Sequence, residues 1–168
     1  MNCYFRTFSE EGTLSLGRAL GRALTPGMTI LLSGDLGTGK TVLARGIGDT
    51  LGVSRVRSPS FTLVNEYVTR KCTVVHADLY RLEPGETAEL GLEDYLDEGG
   101  SGKKCLLLVE WPERWATPPE EDVLRVAIEA EDETKRGFLF SSQGERADAA
   151  LRALRVSLAD DPMTEKPL

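Results

Sequence analysis

Apolar positions in the first third of the chain follow the spacing of alternating helices and strands. Residues 9–24 place apolar side chains three to four positions apart, which predicts an amphipathic helix. Residues 28–33 form a short apolar run bounded by glycines, as in a buried strand, and the glycine-rich residues 34–39 follow as a turn. Residues 41–51 then predict a helix that Gly52 closes. The order is helix, strand, turn and helix.

The middle of the chain predicts further strands. Residues 61–69 and 73–77 are rich in β-branched and aromatic residues, and either a hairpin or two successive strands fits them. Residues 86–98 are acidic and predict short helical turns. Residues 105–109 are the most apolar run in the chain and predict a central parallel strand.

The last third predicts two more strands and a closing helix. Residues 123–129 and 137–141 read as half-exposed edge strands, the first because apolar and polar residues alternate along it. The helix that follows has one apolar face, formed by Ala147, Ala150, Leu151, Leu154 and Leu158. The predicted fold class is an α/β sandwich of the P-loop NTPase type, with a mostly parallel central sheet, antiparallel edge strands and flanking helices. Ligands are expected at the carboxyl ends of the parallel strands.

Length and composition favour one domain. The chain has 168 residues, of which 40% are hydrophobic and 28% charged, enough for a single compact core. We predict one domain over residues 1–158. Residues 159–168 are polar and proline-containing, and we predict a flexible tail there.

Charge and targeting signals narrow the class of function. The 27 acidic and 20 basic residues give a net charge of −7, which argues against direct, stable binding to a nucleic acid backbone by this chain alone. There is no apolar run long enough for a membrane span and no signal segment, so a cytoplasmic protein is expected. Three cysteines and one histidine do not fit a structural zinc site, and the thiols are expected to be mostly buried.

One segment carries a specific chemical signal, the phosphate-binding loop pattern of glycine, four residues, glycine, lysine and threonine. Its members are Gly34, Asp35, Leu36, Gly37, Thr38, Gly39, Lys40 and Thr41. The glycines let backbone N–H groups surround a phosphate, the lysine places a charge on the β- and γ-phosphates, and the threonine hydroxyl ligates Mg²⁺. A plain glycine-rich hairpin turn fits less well, because a predicted strand precedes the loop and a predicted helix follows it.

Hydrolysis at such a loop also needs an acidic residue at a neighbouring strand end. Glu110 directly follows the apolar run 105–109 and is the first candidate for a metal-associated carboxylate. Asp78 follows the run 73–77 and is the second, with a solvated loop charge as its alternative.

Several neighbouring residues have two interpretations. His76 is expected to be a hydrogen-bonded structural residue rather than a catalyst, and Trp111 either packs in the core or walls the site. Ser60 and Thr62 lie where nucleotide switches sense a γ-phosphate, and an ordinary turn is the alternative.

Missing motifs also inform the choice of nucleotide and reaction. No Asn-Lys-x-Asp segment follows the loop, so adenine is the default base rather than guanine. Arg114 lies shortly after Glu110, but no long arginine-rich lid is present, which weakens a small-molecule kinase without removing it.

The motifs in order resemble one family. The phosphate loop, residues 58–64, residues 76–82 and residues 108–113 together resemble the TsaE family, small bacterial P-loop ATPases needed for threonylcarbamoyladenosine modification of tRNA. The resemblance spans about residues 8–140. It implies an Mg²⁺-dependent ATPase in which Lys40 contacts the phosphates while Thr41 and Glu110 hold the metal.

The same resemblance implies further roles. Asp78 and Trp111 would be sensitive positions near the nucleotide, Glu10 would line the base side, and Arg136 would match a late basic residue. The departures are Ser60, where threonine is commoner, and the flexible residues 99–104.

The resemblance also implies partners. They are two paralogous proteins, one of them the threonylcarbamoyl transferase, whose complex ATP hydrolysis would reset between turnovers. Two other functions stay open: a small-molecule kinase, and a binding module in which hydrolysis is incidental.

Overall fold

The chain folds around one mixed β-sheet in a computed structural model that describes residues 1–83, 85–96, 105–159 and 165–166. Eight strands form the sheet, with helices between them. The strands are β1 (Asn2–Thr7), β2 (Thr29–Ser33), β3 (Val64–Val68), β4 (Thr73–Asp78), β5 (Cys105–Glu110), β6 (Val123–Ala130), β7 (Arg136–Gln143) and β8 (Glu165–Lys166). The α-helices are α1 (Glu10–Ala23), α2 (Lys40–Leu51) and α3 (Glu145–Ser157), and short 3-10 helices occupy Glu86–Leu90, Leu92–Tyr95 and Pro112–Arg114.

The strand order places the phosphate loop near the middle of the sheet. The order is β3-β4-β5-β2-β6-β7-β1-β8. The neighbours β4, β5, β2 and β6 are parallel, whereas β3 and the strands beyond β6 pair antiparallel. The predicted fold class is confirmed. The carboxyl ends of β2, β4 and β5 meet at one edge of the sheet, where the register pairs Leu32 and Asp78 with Glu110 from either side.

Two strands predicted at the edges lie inside the sheet. β6 is flanked by β2 and β7, and β7 is flanked by β6 and β1, so their prediction as edge strands was wrong. The alternation along β6 has another cause: Val126 and Ile128 are buried on the helical side, while Ala127 and Glu129 face solvent on the other side. A strand that is covered on one face only shows this alternation of buried and exposed residues whether it lies at the edge of the sheet or inside it.

Other elements complete or extend the predictions. β3 and β4 form an antiparallel hairpin, which decides the alternative left open above. β1 has no counterpart among the predicted elements, although its alternate residues Cys3, Phe5 and Thr7 are buried. Thiol burial is confirmed for Cys3 and Cys72.

The ends of two predicted segments lie outside the described residues. Residues 97–104, which include the end of the predicted helical turns and the predicted flexible segment 99–104, are not described. In the predicted tail, only Ala159 and the pair Glu165–Lys166 are described, and this pair adds to β1 as β8. The flexible tail therefore stays a prediction.

The two faces of the sheet are covered differently. The three helices cover one face, where the larger apolar core includes Leu43, Ile47 and Phe140. A second core on the other face lies under the 3-10 segments and includes Leu92 and Trp115. None of the helices in the described ranges combines the length and apolar character needed to cross a bilayer.

Helices α1 and α2 approach closely because glycines face each other where they pack. A Cβ on Gly17 would lie 2.5 Å from the carbonyl oxygen of Leu43 and 2.9 Å from the Cα of Gly46. These are backbone atoms that cannot rotate away. The packing matters for the site, since α2 begins at the phosphate loop and α1 begins beside it.

We expect Gly17→Ala to lower the free energy of unfolding by about 2 kcal/mol, because overpacking at the helix contact outweighs the better helix propensity of alanine. Chemical denaturation measures the change. Ser15→Ala in the same helix, at a half-buried position, is the matched control and should leave stability nearly unchanged. Equal stability of Gly17→Ala and the wild type would contradict the close contact.

Candidate phosphate-binding site

The turn between β2 and α2 has the backbone of an anion-binding loop. Gly39 precedes the first turn of α2 with φ +105°, and no described side chain caps that turn or places an acidic group in it. The N–H groups at the positive end of the helix are therefore available to a phosphate. Gly34 has φ +140°, and a Cβ there would lie 2.4 Å from the carbonyl oxygen of Ile128. Only glycine fits where the loop passes β6 so closely.

Lys40 reaches back over the loop. Its ammonium donates to the carbonyl oxygens of Gly34 at 2.5 Å and Asp35 at 2.9 Å, and lies 4.2 Å from the centre of the Trp111 ring. Burial lowers the pKa of Lys40, while the nearby carboxylates of Glu110 and Asp78 act in the opposite direction. A positive charge is thus held among the groups that a polyphosphate would meet.

Trp111 forms a wall of the site. The residue has φ +60°, an uncommon conformation for a bulky side chain, and its N–H donates to the carbonyl oxygen of Leu32 at 3.1 Å. The ring lies 4.9 Å from that of Tyr80, centre to centre, and also packs against the second core. Both roles considered for Trp111 in the sequence therefore apply.

The candidate metal-associated residues meet beside the loop. The Thr41 hydroxyl lies 3.4 Å from each oxygen of the Glu110 carboxylate. Glu110 is only 2% exposed, and its Oε1 is 2.8 Å from Nε2 of His76. This contact confirms the prediction that His76 is a hydrogen-bonded residue of the interior.

Asp78 is the neighbour of Glu110 across the β4–β5 pair. Its Oδ1 accepts a hydrogen bond from the backbone N–H of Tyr80 at 3.0 Å. Its Oδ2 lies 3.3 Å from the hydroxyl of Ser60 and 3.5 Å from that of Ser58. The two serines, whose hydroxyls are 2.6 Å apart, thus tie the 58–60 turn to this carboxylate.

A cavity of about 290 Å³ collects these groups. Its lining contains Leu36, Gly37, Gly39, Lys40, Thr41, Val42, Ser58, Ser60, Asp78, Tyr80, Glu110 and Trp111. Thr62 is not among them, and its hydroxyl donates to Oδ1 of Asn65 at 2.8 Å. The loop residues Gly34, Asp35 and Thr38 are not part of the lining. The hydroxyl of Thr38 donates a 2.9 Å hydrogen bond to the carbonyl oxygen of Asp35 within the loop.

Sequence reasoning missed three of the lining residues: Val42, which directly follows the phosphate loop, Ser58 and Tyr80. Tyr80 follows Asp78 by two positions, and Ser58 opens the turn that also holds Ser60. Ser58 and Tyr80 lie in the motif segments 58–64 and 76–82, which was the available signal in the sequence. Only the fold brings these two segments together at the Asp78 carboxylate.

A second cavity of about 350 Å³ lies on the other side of the loop. Its lining contains Ser9, Glu10, Thr13, Gly37, Gly39, Val42, Glu133, Thr134 and Arg136. Glu10 and Arg136, which are 126 positions apart, are thus brought to one site beside the loop. Arg136 donates to the carbonyl oxygens of Asp132 at 2.8 Å and Lys135 at 2.9 Å, while Glu10 pairs with Arg45 at 3.0 Å.

The donor set fits Mg²⁺ bound together with phosphate. Among the described residues, no cluster of three or more histidine, cysteine, aspartate or glutamate side chains could hold a metal alone. Mg²⁺ usually takes one or two protein ligands and completes its octahedron with phosphate oxygens and water. The hydroxyl of Thr41 and the buried carboxylate of Glu110 match that requirement.

The strand, loop and helix, set in a sheet with parallel central strands, define an α/β protein of P-loop architecture. The family model described as "Threonylcarbamoyl adenosine biosynthesis protein TsaE" matches residues 7–138, and the chain belongs to this family. The resemblance identified from the motifs is therefore confirmed.

Individual relatives agree. The chain is 47% identical over 111 residues to a tRNA threonylcarbamoyladenosine biosynthesis protein TsaE of a Nostoc species, covering 66% of this chain and 68% of the relative. It is 32% identical over 143 residues to the protein of that name from Bacillus subtilis, covering 84% and 87%. The crystal structure of Bacillus subtilis YdiB matches with a TM-score of 0.76 and 27% identity, over 94% of this chain and 96% of that chain.

The lowered pKa of Lys40 predicts a pH dependence of nucleotide binding. The protonated lysine attracts phosphate, and it loses its proton at a lower pH than the ordinary value of 10.5. We expect the affinity for a fluorescent ATP analogue to fall as the pH rises toward 10.5, and to begin falling at a lower pH than for a lysine of ordinary pKa. Lys40→Arg keeps its charge throughout and should show a flatter profile, even if its affinity is lower. Parallel profiles for the two proteins would contradict this assignment.

Proposed function

We propose that this protein is an Mg²⁺-dependent ATP hydrolase that acts in threonylcarbamoyladenosine modification of tRNA. The observation that carries the proposal is the meeting of the Thr41 hydroxyl with the buried Glu110 carboxylate beside the loop of Lys40. The names of the relatives supply the pathway.

Each group of the site has a part in this reaction. The N–H groups at the start of α2 and the Lys40 ammonium bind the phosphates. Thr41 and Glu110 would hold Mg²⁺, which when bound neutralises charge that builds up on the phosphates. Asp78, whose Oδ2 is oriented by Ser60, is the carboxylate we assign to orient the attacking water.

The cavity beside the loop suits the nucleoside. Glu10 and Arg136 line it, in keeping with the roles that the family resemblance implies for them. Adenine is the proposed base, because the sequence lacks the Asn-Lys-x-Asp segment of guanine-selective P-loop proteins.

The proposed partners are the threonylcarbamoyl transferase and its paralogous partner protein. The net charge of −7 supports action on a protein complex rather than direct, stable binding to tRNA. ATP hydrolysis would then reset the complex between turnovers. The proposed location is the cytoplasm.

Phosphate release with and without the purified transferase complex tests this function. We expect slow Mg²⁺-dependent release from the protein alone and faster release with the complex. Transfer of the labelled γ-phosphate to a metabolite instead of water would identify a kinase. Full tRNA modification by a Glu110→Gln variant that binds but does not hydrolyse ATP would identify a binding module.

Two variants separate binding from hydrolysis. Lys40→Ala should lower phosphate release by at least about 100-fold, because it removes the charge that contacts the phosphates. Glu110→Gln should lose Mg²⁺-dependent release and keep much of the nucleotide affinity, because it removes the carboxylate that would hold the metal and leaves Lys40 and the loop backbone in place. Circular dichroism checks folding, and undiminished hydrolysis by Lys40→Ala would overturn the proposal.

A further inference from the structure

His76 is buried beside the site without touching the phosphate cavity. It is 0% exposed and lies on β4 two residues before Asp78, so both side chains point to the helical face of the sheet. Its Nε2 is 2.8 Å from Oε1 of Glu110, across the parallel β4–β5 pair. It is the only histidine in the chain.

The surroundings of the other ring nitrogen indicate which atom carries the proton. Nδ1 is buried and has no hydrogen-bond partner among the described residues. A buried N–H without an acceptor costs more than a bare ring nitrogen without a donor. The arrangement therefore favours a proton on Nε2, donated to Oε1 of Glu110.

This hydrogen bond distinguishes the two oxygens of Glu110. Oε1 is held by His76 at 2.8 Å, and the Thr41 hydroxyl lies farther away, 3.4 Å from both oxygens. Because Thr41 is equally far from both oxygens, the hydrogen bond to the ring is the contact that fixes how the carboxylate is turned. Metal-binding carboxylates depend on such neighbours for their orientation.

We propose that His76 is a positioning residue, whose Nε2–H holds the Glu110 carboxylate in the orientation that binds Mg²⁺ together with Thr41. This inference rests on the proposed function, because it assigns a metal to Glu110. His76 itself contacts neither the phosphates nor the metal.

The protonation of the His76 ring nitrogens can be measured by NMR, which tests the hydrogen bond to Glu110 without an assay of ATP hydrolysis. In the untagged, ¹⁵N-labelled wild-type protein, the single histidine produces one set of ring signals in a long-range ¹H–¹⁵N spectrum. We expect Nε2 to carry a proton that is hydrogen-bonded to the carboxylate. A bare Nε2, with the ring proton on Nδ1 alone, would overturn the inference.

Two substitutions form a matched pair for metal binding. In His76→Gln, the amide nitrogen stands as many bonds from Cβ as Nε2 does and can still donate to Glu110. In His76→Asn, it stands where Nδ1 was and falls short. With a nonhydrolysable ATP analogue, Mn²⁺ affinity by electron paramagnetic resonance should drop about 10- to 100-fold in His76→Asn and stay near the wild-type value in His76→Gln.

The outcomes separate this inference from the proposed function. Affinity for the nucleotide without metal should be the same in both variants, which a general disturbance of the site would not produce. Equal Mn²⁺ affinity of His76→Asn and the wild type would overturn the role of His76. If the wild type bound neither metal nor nucleotide, the proposed function would fall, and the ring signals would still decide the hydrogen bond. If His76→Asn does not fold, two other measurements decide. The ring signals of the wild type test the hydrogen bond, and a loss of Mn²⁺ affinity in His76→Gln would overturn the role of His76.

Discussion

The candidate site depends on a buried carboxylate at the end of a central strand. Glu110 is only 2% exposed, and taking a carboxylate out of water is costly unless polar partners replace its hydration. The fold supplies a histidine on the next strand, a hydroxyl on the helix and an ammonium nearby. The histidine comes from β4, and both the hydroxyl and the ammonium come from α2, so the position of Glu110 links β4, β5 and α2.

The sheet order makes this arrangement possible. β5 lies between β2, which leads into the phosphate loop, and β4, which carries His76 and Asp78. Neighbouring parallel strands end at the same edge of the sheet, so the acidic side chains at the ends of β4 and β5 lie next to the loop that follows β2. The contact of α1 with α2 then brings the start of α1, with Glu10, to the opposite side of the loop.

Much of the site could be predicted because its chemistry is local. The spacing from Gly34 to Thr41 is typical of a loop that binds phosphate through its own backbone, and Glu110 follows an apolar run typical of a buried strand. Residues whose role depends on a partner were harder to place. Ser60 and Thr62 are two positions apart in one turn, and only the fold shows that Ser60 faces Asp78 while Thr62 bonds to Asn65.

By itself, the sequence determined the fold class, the phosphate loop, the acidic candidates and the family, since periodicity and motif spacing are properties of neighbouring residues. The tertiary structure alone decided strand order, including the interior places of β6 and β7, and the partners of His76, Trp111 and Arg136. These depend on contacts between residues far apart in the chain. A strand with one uncovered face has the same alternation at the edge of a sheet as inside it, so the pattern could not decide the order.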